Sequence, residues 1–371
     1  MKGHIFVMTH KKFVPPEDPV YIPLHVGRKT AADLGYQGDD TGDSISDQNP
    51  YFSELTGMYW IWKNWREDGY VGMCHYRRYL MGGEGKILTD VDFQQILGQY
   101  DIITSKRLQY DYSYYDGYAS AHNIHDLDVT GEVIRELFPD YYPEFLQRVH
   151  GNEAYFGNII AADRHLFDAY ASWLFAILSE VQKRIRVSDY DEYHRRVFGF
   201  LSEFLLLVWV SVEKLRVYEC MVGMTEEKHE TREMKERAAD FLARGDIQGA
   251  RNYFEECLEK RPDVLLEASD TTGELRLSMQ VISTCEYEKK RDGTCITDRI
   301  SDFSELMTWI RRVNGIVSRY RNGREKREDA DLLISQEVSI TALEIAVMLQ
   351  CFEEGEATRT LERLREDLEQ K

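Results

Sequence analysis

The residues best suited to chemistry are His75, Tyr76, Arg77 and Arg78, which directly follow the apolar run at positions 70–74. That run is short and apolar enough to be a buried strand, so two guanidinium groups would lie at an edge of a sheet. A guanidinium group stays charged and its N–H groups match phosphate oxygens. Ion pairs with the chain's own carboxylates are the alternative. Because such pairs are a costly way to gain stability alone, the pattern favours binding of a phosphorylated ligand.

A second polar segment, Thr9, His10, Lys11 and Lys12, follows the apolar run at positions 5–8. In open α/β sheets ligands bind outside the carboxyl ends of the strands, so we expect this segment to contact a nucleotide. A solvated lysine turn is the alternative. The sequence has neither a GxGxxG nor a P-loop motif, which disfavours dinucleotide oxidoreductases and P-loop kinases.

The carboxylate most suited to act as a base is Glu203, which lies in the very apolar stretch 198–210. Burial there would raise its pKa towards neutrality, as a general base for a sugar hydroxyl requires. A helix-face glutamate paired with Arg195 or Arg196 is an equal alternative. Asn158 falls inside a predicted strand, where its amide needs a partner. Together with Glu153 it is a candidate for binding a sugar or an acceptor.

The loop at positions 38–49 is crowded with carboxylates. Asp40, Asp43 and Asn49 are candidates for binding the hydroxyl groups of a sugar. Composition of this kind is nevertheless more typical of turns.

The segment 121–128 places His122 and His125 just before Asp126 and Asp128. These side chains are of the kind that holds a divalent cation, and Asp-Leu-Asp resembles the DxD with which many nucleotide-sugar transferases hold manganese. A DxD motif normally ends a buried strand, whereas the residues before this one are polar. We therefore favour a metal-free sugar or diphosphate site here over a metal site.

The elements predicted around these residues are strands that alternate with helices. We predict strands at 5–8, 70–74, 101–104 and 155–161, and helices at 53–65, 91–97, 164–184 and 190–215. Such alternation predicts an α/β fold with a mainly parallel sheet whose faces are covered.

The composition changes near residue 225, which divides the chain into predicted domains at 1–224 and 225–371. The second domain is predicted to be all-helical, and its stretch 238–260 resembles one tetratricopeptide-type hairpin. No second copy follows at the spacing of such repeats, so a helical appendage to the catalytic domain is the favoured interpretation. Further helices are predicted at 302–320 and 339–371, with an exposed connector at 322–331.

Composition excludes several classes of protein. The 371 residues carry a net charge of −19, which disfavours a nucleic-acid-coating protein. The six cysteines lack CxxC spacing, so we expect reduced thiols rather than disulfides or a zinc cage. The N-terminus does not resemble a signal peptide, and the apolar stretch 204–212 is far below the ~20 residues of a membrane span. We expect a cytoplasmic protein, with attachment to the inner face of the membrane left open.

Several motifs occur in a familiar order: THKK, ELTGMYWIWKN, VGMCHYRRYL, HDLD, YFGN and RVFGFLSE. Over about residues 3–220 the chain resembles the capsular and exopolysaccharide biosynthesis family long described as a domain of unknown function. That family is now grouped with glycosyltransferases and includes galactofuranosyltransferases. The HYRRY block carries the resemblance most specifically.

The resemblance implies a GT-A-like domain that transfers a sugar, such as galactofuranose, from a UDP-sugar to a lipid-linked or oligosaccharide acceptor. The product would be a bacterial capsule, exopolysaccharide or O-antigen. The segment His75–Arg78 would stand where related folds place DxD, with arginine and histidine replacing the metal. Glu203 would be the base of an inverting reaction that needs no cofactor.

Three alternatives remain open at this point. One is a retaining transferase in which Asp126 and Asp128 hold Mn²⁺ or Mg²⁺. Asp128 is the second candidate catalytic residue, after Glu203. Another is a non-catalytic scaffold of a polysaccharide synthesis complex, whose C-terminal helices would dock partners or a membrane surface. A glycoside hydrolase ranks last, because a cationic strand end gives a hydrolase no benefit.

Overall fold

The structure is a computed structural model that describes residues 2–225, 227, 229–260, 270, 272–351 and 355–370. The chain divides into two compact units, Met1–Glu226 and Glu227–Lys371, called here the first and the second unit. Within the described ranges, every helix is too short or too polar to span a bilayer.

The first unit is built on an eight-stranded sheet and a separate two-stranded ribbon. The strands are β1 (Gly3–Thr9), β2 (Tyr21–His25), β3 (Gln37–Gly38), β4 (Tyr70–His75), β5 (Arg78–Met81), β6 (Ile102–Ser105), β7 (Leu108–Gln109), β8 (Glu153–Ala154), β9 (Ile160–Asp163) and β10 (Val217–Met224). The order in the large sheet is β3-β2-β1-β4-β5-β10-β6-β9, and β7 pairs with β8 in the ribbon.

The expectation of a mainly parallel sheet is wrong, because the sheet is mixed. Strand β1 runs parallel to β2 and β4, and β10 runs parallel to β6. Strands β5 and β9, however, are antiparallel to their neighbours. Strand β5 must return antiparallel because only two residues separate it from β4, and parallel neighbours need a crossover of a dozen residues or more.

Eight helices of the first unit's described residues cover the sheet. They are α1 (Asn49–Phe52), α2 (Leu55–Asn64), α3 (Asp90–Leu97), α4 (Tyr114–Ala121), α5 (Ile124–Leu137), α6 (Tyr142–Val149), α7 (Arg164–Arg184) and α8 (Val197–Val212). Alternate residues of β1 enter two separate cores, because side chains of a strand point to opposite faces in turn. Phe6 and Met8 pack with α7 and α8, whereas Ile5 and Val7 pack with Phe93 of α3.

The second unit is all-helical in its described residues. Its helices are α9 (His229–Ala243), α10 (Ile247–Lys260), α11 (Glu274–Asp292), α12 (Phe303–Arg321), α13 (Asp329–Ser335), α14 (Ile340–Met348) and α15 (Glu356–Glu369). Helices α9 and α10 form the predicted hairpin, with Gly245 between them at φ 65°. Its apolar side packs on α11 and α12, and the second unit has a core of its own.

Three predicted elements need correction. The strand predicted at 155–161 begins only at Ile160, and Asn158 before it has a left-handed φ of 49°. The helix predicted at 53–65 begins only at Leu55, since Ser53 has a positive φ of 50°. Helix α8 begins at Val197 rather than near residue 190, because a 3-10 turn at His194–Arg196 precedes it.

Candidate functional site

The basic segment after β4 is a tight turn at an edge of the sheet. His75 is the last residue of β4 and pairs with Arg78, the first residue of β5, so Tyr76 and Arg77 form the turn. Both arginines are half-buried, and Arg78 lies over the ring of Phe156 at 4.9 Å. The turn therefore holds two guanidinium groups at a sheet edge, as the sequence predicted.

The end of β1 lies beside this turn. Strands β1 and β4 are parallel with Met8 opposite His75, so both end at the same edge. Lys11 Nζ is 4.9 Å from the centre of the Tyr76 ring, and the His10 and Tyr76 rings are 5.4 Å apart. Thr9 is buried and orders the segment, because its hydroxyl donates to Lys11 O and accepts from Lys11 N–H.

A network of hydrogen bonds joins this edge to the start of α2. Asn158 Nδ2 donates to Glu54 Oε1 at 2.7 Å, and Ser202 of α8 donates to Asn158 Oδ1 at 2.7 Å. His75 Nε2 lies 2.6 Å from Gly157 O and 4.0 Å from Glu54 Oε1. Backbone in the left-handed region, which non-glycine residues seldom adopt, concentrates here at Asn158 and at Ser53, next to Glu54.

Glu203 reaches the same place from α8. Gly157 N–H donates to Glu203 Oε1 at 2.9 Å. Burial, and then the negative charge of Glu54, raise the pKa of Glu203 to about 8, against the opposing influence of Arg78. Of the two arginines proposed as ion-pair partners, Arg196 donates to Ser53 and Arg195 lies near Glu192. The carboxylate is thus poised near neutral pH, as a general base requires.

His75 is not a cation at neutral pH, contrary to the sequence-based expectation. Burial lowers its pKa to about 4, and the charges of Arg78 and Arg77 act in the same direction against that of Glu54. Because Gly157 O can only accept a hydrogen bond, Nε2 carries the proton of the neutral ring. The positive charge of the turn therefore comes from its arginines.

The three residues of the acidic loop that were predicted to bind a sugar bond to neighbouring parts of the chain. Asp40 pairs with Arg28 at 3.4 Å, and Asp43 accepts from Tyr59 OH at 3.0 Å. Asn49 donates to Ser53 O at 2.7 Å. Each of these contacts joins the loop to a residue outside it.

The histidines and aspartates of segment 121–128 lie at the end of α4 and in α5. Asp126 and Asp128 are in α5, where residues two positions apart point about 200° away from each other. Asp126 is buried and accepts from Tyr190 OH at 2.8 Å, whereas Asp128 is exposed and accepts from Tyr115 OH at 3.1 Å. The half-buried His122 ring packs on Phe200 with ring centres 4.3 Å apart.

His125 is exposed near the start of α5, where its N–H is capped by Asn123. Glu153, in β8, accepts from Arg107 at 3.1 Å and lies 3.6 Å from Arg148. The carboxylate of Glu153 and the backbone N–H of His125 thus hold local structure, and neither residue takes part in the hydrogen bonds that join Glu54, Asn158 and Ser202.

The two aspartates do not form the chelating pair that a metal-dependent mechanism needs, because their carboxylates diverge. Among the described residues, three ligand-type side chains come together at Cys285, Glu288 and Cys295 of the second unit. Glu288 there accepts from Ile296 N–H at 2.9 Å and from Ser339 at 2.5 Å, which gives its carboxylate a structural role.

Glu54 is the site residue that sequence reasoning missed. It is the first residue of the motif ELTGMYWIWKN, where an acidic residue before an apolar helix has the pattern of an ordinary helix start. Its role depends on contacts with His75 and Asn158, which lie far away in the chain. The one signal of Glu54 in the local sequence is its position directly before the apolar residues of α2.

The first unit is an α/β fold in which Arg78, one of the two arginines that follow β4, lies close to the half-buried carboxylate of Glu203. A model of the family described as domain of unknown function DUF4422 matches residues 4–214, more than half of the chain, and the chain belongs to this family. The resemblance drawn from the motifs is thereby confirmed.

A solved structure of similar fold is that of WbbM, a bifunctional glycosyltransferase in its apo form. The two share 26% sequence identity with a TM-score of 0.57, over 61% of this chain and 46% of that one. The chain therefore spans less than half the length of WbbM. No curated protein matches the chain.

Proposed function

We propose that the chain is a glycosyltransferase that transfers a sugar from a UDP-sugar, such as UDP-galactofuranose, to a glycan acceptor. The observation that carries this proposal is Glu203, a carboxylate with a raised pKa, facing the arginine turn that follows β4. The likeness to part of WbbM, a bifunctional glycosyltransferase, supports glycosyltransferase activity in general, and a GT-A-like first unit belongs to the proposal. Capsule, exopolysaccharide or O-antigen synthesis is the setting that the motifs suggest.

Arg77 and Arg78 would bind the diphosphate, because their charge offsets the charge that builds on the leaving UDP. Lys11 and the ring of Tyr76 lie beside them and would contact the nucleotide. The neutral His75 would hold Gly157 and hence the hydrogen-bond donor of Glu203 in place.

Glu203 would take the proton from the acceptor hydroxyl as that oxygen attacks the anomeric carbon. The bond between this carbon and the UDP oxygen breaks in the same step, so the configuration inverts. No metal is assigned a role, because the arginines supply the positive charge at the diphosphate.

Two alternatives make different predictions. A retaining enzyme that holds Mn²⁺ on Asp126 and Asp128 would need α5 to rearrange, because the two side chains diverge there. A non-catalytic scaffold would bind no donor and would bind a synthesis protein or a membrane surface instead. The position of Glu203 close to Arg78 supports neither the retaining enzyme nor the scaffold.

The test is a calorimetric screen of UDP-, GDP-, dTDP- and CMP-sugars with and without EDTA. We expect a UDP-sugar to bind in EDTA, and both Arg77→Ala and Arg78→Ala to weaken it at least ~10-fold. Arg216→Ala is the matched control, since Arg216 pairs with Asp101 in the same unit. A requirement for manganese would move the site to α5, and no nucleotide binding at all would sink the enzyme proposal.

A further inference from the structure

Two stacked tyrosines, the half-buried Tyr110 and the exposed Tyr112, follow strand β7 in the first unit. The rings of Tyr110 and Tyr112 are 5.3 Å apart and within 18° of parallel. Tyr112 is 52% exposed, which is unusual for so large an aromatic side chain. The mechanism described above uses neither ring.

The pair is held rigidly. Strand β7 pairs with β8, and Tyr110 N–H donates to Asn152 O at 2.8 Å while Asn152 Nδ2 donates back to Tyr110 O at 3.0 Å. The Tyr112 ring lies on Gly117 of α4, where an added Cβ would meet ring carbon Cε2 at 2.5 Å. An exposed ring that is fixed in this way loses little conformational entropy on binding a ligand.

The pair also lies close to the candidate base. Burial, and then the charge of Glu203, raise the pKa of Tyr110 to about 12, with Tyr112 as a further neighbour. Tyr114, two residues on, stacks on Phe204, the residue after Glu203, with ring centres 4.1 Å apart. The stretch that anchors the tyrosines at Asn152 continues directly to Gly157, which donates to Glu203.

We propose that Tyr110 and Tyr112 form a stacking platform for the acceptor, on which the apolar face of a sugar ring packs while one hydroxyl points to Glu203. The ligand class is a pyranose or furanose ring, because its C–H face packs on an aromatic ring while its hydroxyl groups stay in water. Asp111, between the two tyrosines, is exposed and available to such hydroxyls. This inference rests on the proposed transferase function and adds the acceptor side of the same site.

The test measures acceptor binding and donor binding separately. Saturation-transfer NMR with methyl β-galactoside, methyl α-mannoside and methyl N-acetyl-β-glucosaminide, each with and without UDP, reports the acceptor. We expect at least one glycoside to bind, and Tyr112→Ala to weaken it about 10-fold. Tyr112→Trp should retain binding, because it keeps a flat aromatic face.

Two further variants sharpen the test. Gly117→Ala should weaken the glycoside as Tyr112→Ala does, since it displaces the ring without removing it. Tyr287→Ala is the matched control, because Tyr287 is an exposed tyrosine of the second unit. Circular dichroism should show that every variant is folded.

The outcomes separate this inference from the function on which it rests. If UDP-sugars bind wild type and Tyr112→Ala equally while only the variant loses the glycoside, the platform is supported. If the donor binds but no glycoside binds wild type, or Tyr112→Ala binds glycosides as wild type does, the platform is wrong. Failure of the donor to bind wild type would instead contradict the transferase proposal.

Discussion

Two carboxylates inside the first unit, Asp39 and Glu203, have opposite surroundings. Asp39, at the start of the acidic loop, is completely buried and accepts from Gly27 N–H at 3.0 Å and Thr56 OH at 2.6 Å. It also accepts from Ser46 OH at 2.5 Å and from the N–H of Arg28. Glu203 accepts one hydrogen bond, from Gly157, within an apolar helix.

The comparison shows that donors, and not burial alone, decide what a buried carboxylate does. Hydrogen bonds to both oxygens of Asp39 make it a structural anchor for its loop. Glu203 accepts too few hydrogen bonds to offset the cost of removing its charge from water. Its carboxylate therefore takes up a proton more readily than an ordinary glutamate does. A high density of acidic residues, as in the loop, is consequently a poor sign of a sugar site.

The first test of this contrast between Asp39 and Glu203 removes the charge of Glu203. If Glu203 is the base, Glu203→Gln should lower kcat at least ~10³-fold while leaving the Kd of the UDP-sugar within about twofold, because the amide cannot accept a proton. Initial rates and calorimetry on the same preparation measure both quantities. The variant keeps an oxygen that can accept from Gly157, so its fold should be intact.

Asp43→Asn supplies the matched control from the acidic loop. Asp43 is exposed and bonded to Tyr59, and its substitution should change kcat less than about twofold. Equal losses in the two variants would mean that the loop, and not α8, carries the chemistry.

The second test concerns stability rather than rate. Asp39→Asn should lower the free energy of unfolding of the first unit by about 3 kcal/mol, because an amide group cannot accept from donors on both sides. Five of the six tryptophans lie in the first unit, so their fluorescence in a urea titration reports its unfolding. Asp43→Asn should change this free energy by less than ~1 kcal/mol. A loss of kcat in folded Asp39→Asn, with stability unchanged, would contradict the structural role.

Part of this site follows from the sequence. The apolar runs of β1 and β4 are unambiguous, and the end of one parallel strand lies beside the end of the next. That rule alone is enough to predict that Lys11 and Tyr76 lie close together. Glu203 also stands out in the sequence, because a lone carboxylate in an apolar helix needs either a partner or a function.

The rest depends on contacts that local patterns do not encode. Asn158 has the pattern of a strand residue because its neighbours are apolar, yet its φ of 49° is set by bonds to Glu54 and to Ser202. The mixed sheet is hard to predict because β5 and β10 are short or only partly buried and give weak signals. Asp126 and Asp128 match a motif, but the motif requires a strand end and the chain forms α5 there.

The smallest expected effect, a shift in melting temperature with pH, tests the comparison most directly. The pKa of Glu203 is about 8 in the folded protein against an ordinary value of 4.5, so the folded state holds this proton more tightly than the unfolded state. The contribution of Glu203 to stability is therefore complete below pH 4.5 and is lost progressively as the pH rises to about 8.

Glu203→Gln lacks this loss, because its side chain does not ionise. Relative to wild type, its melting temperature measured by tryptophan fluorescence should rise between pH 5.5 and pH 8.5, by roughly 3 °C or more. Asp43→Asn should show no such pH-dependent difference. A constant offset between Glu203→Gln and wild type across this range would mean that Glu203 ionises normally, and the contrast with Asp39 would then lie in geometry alone.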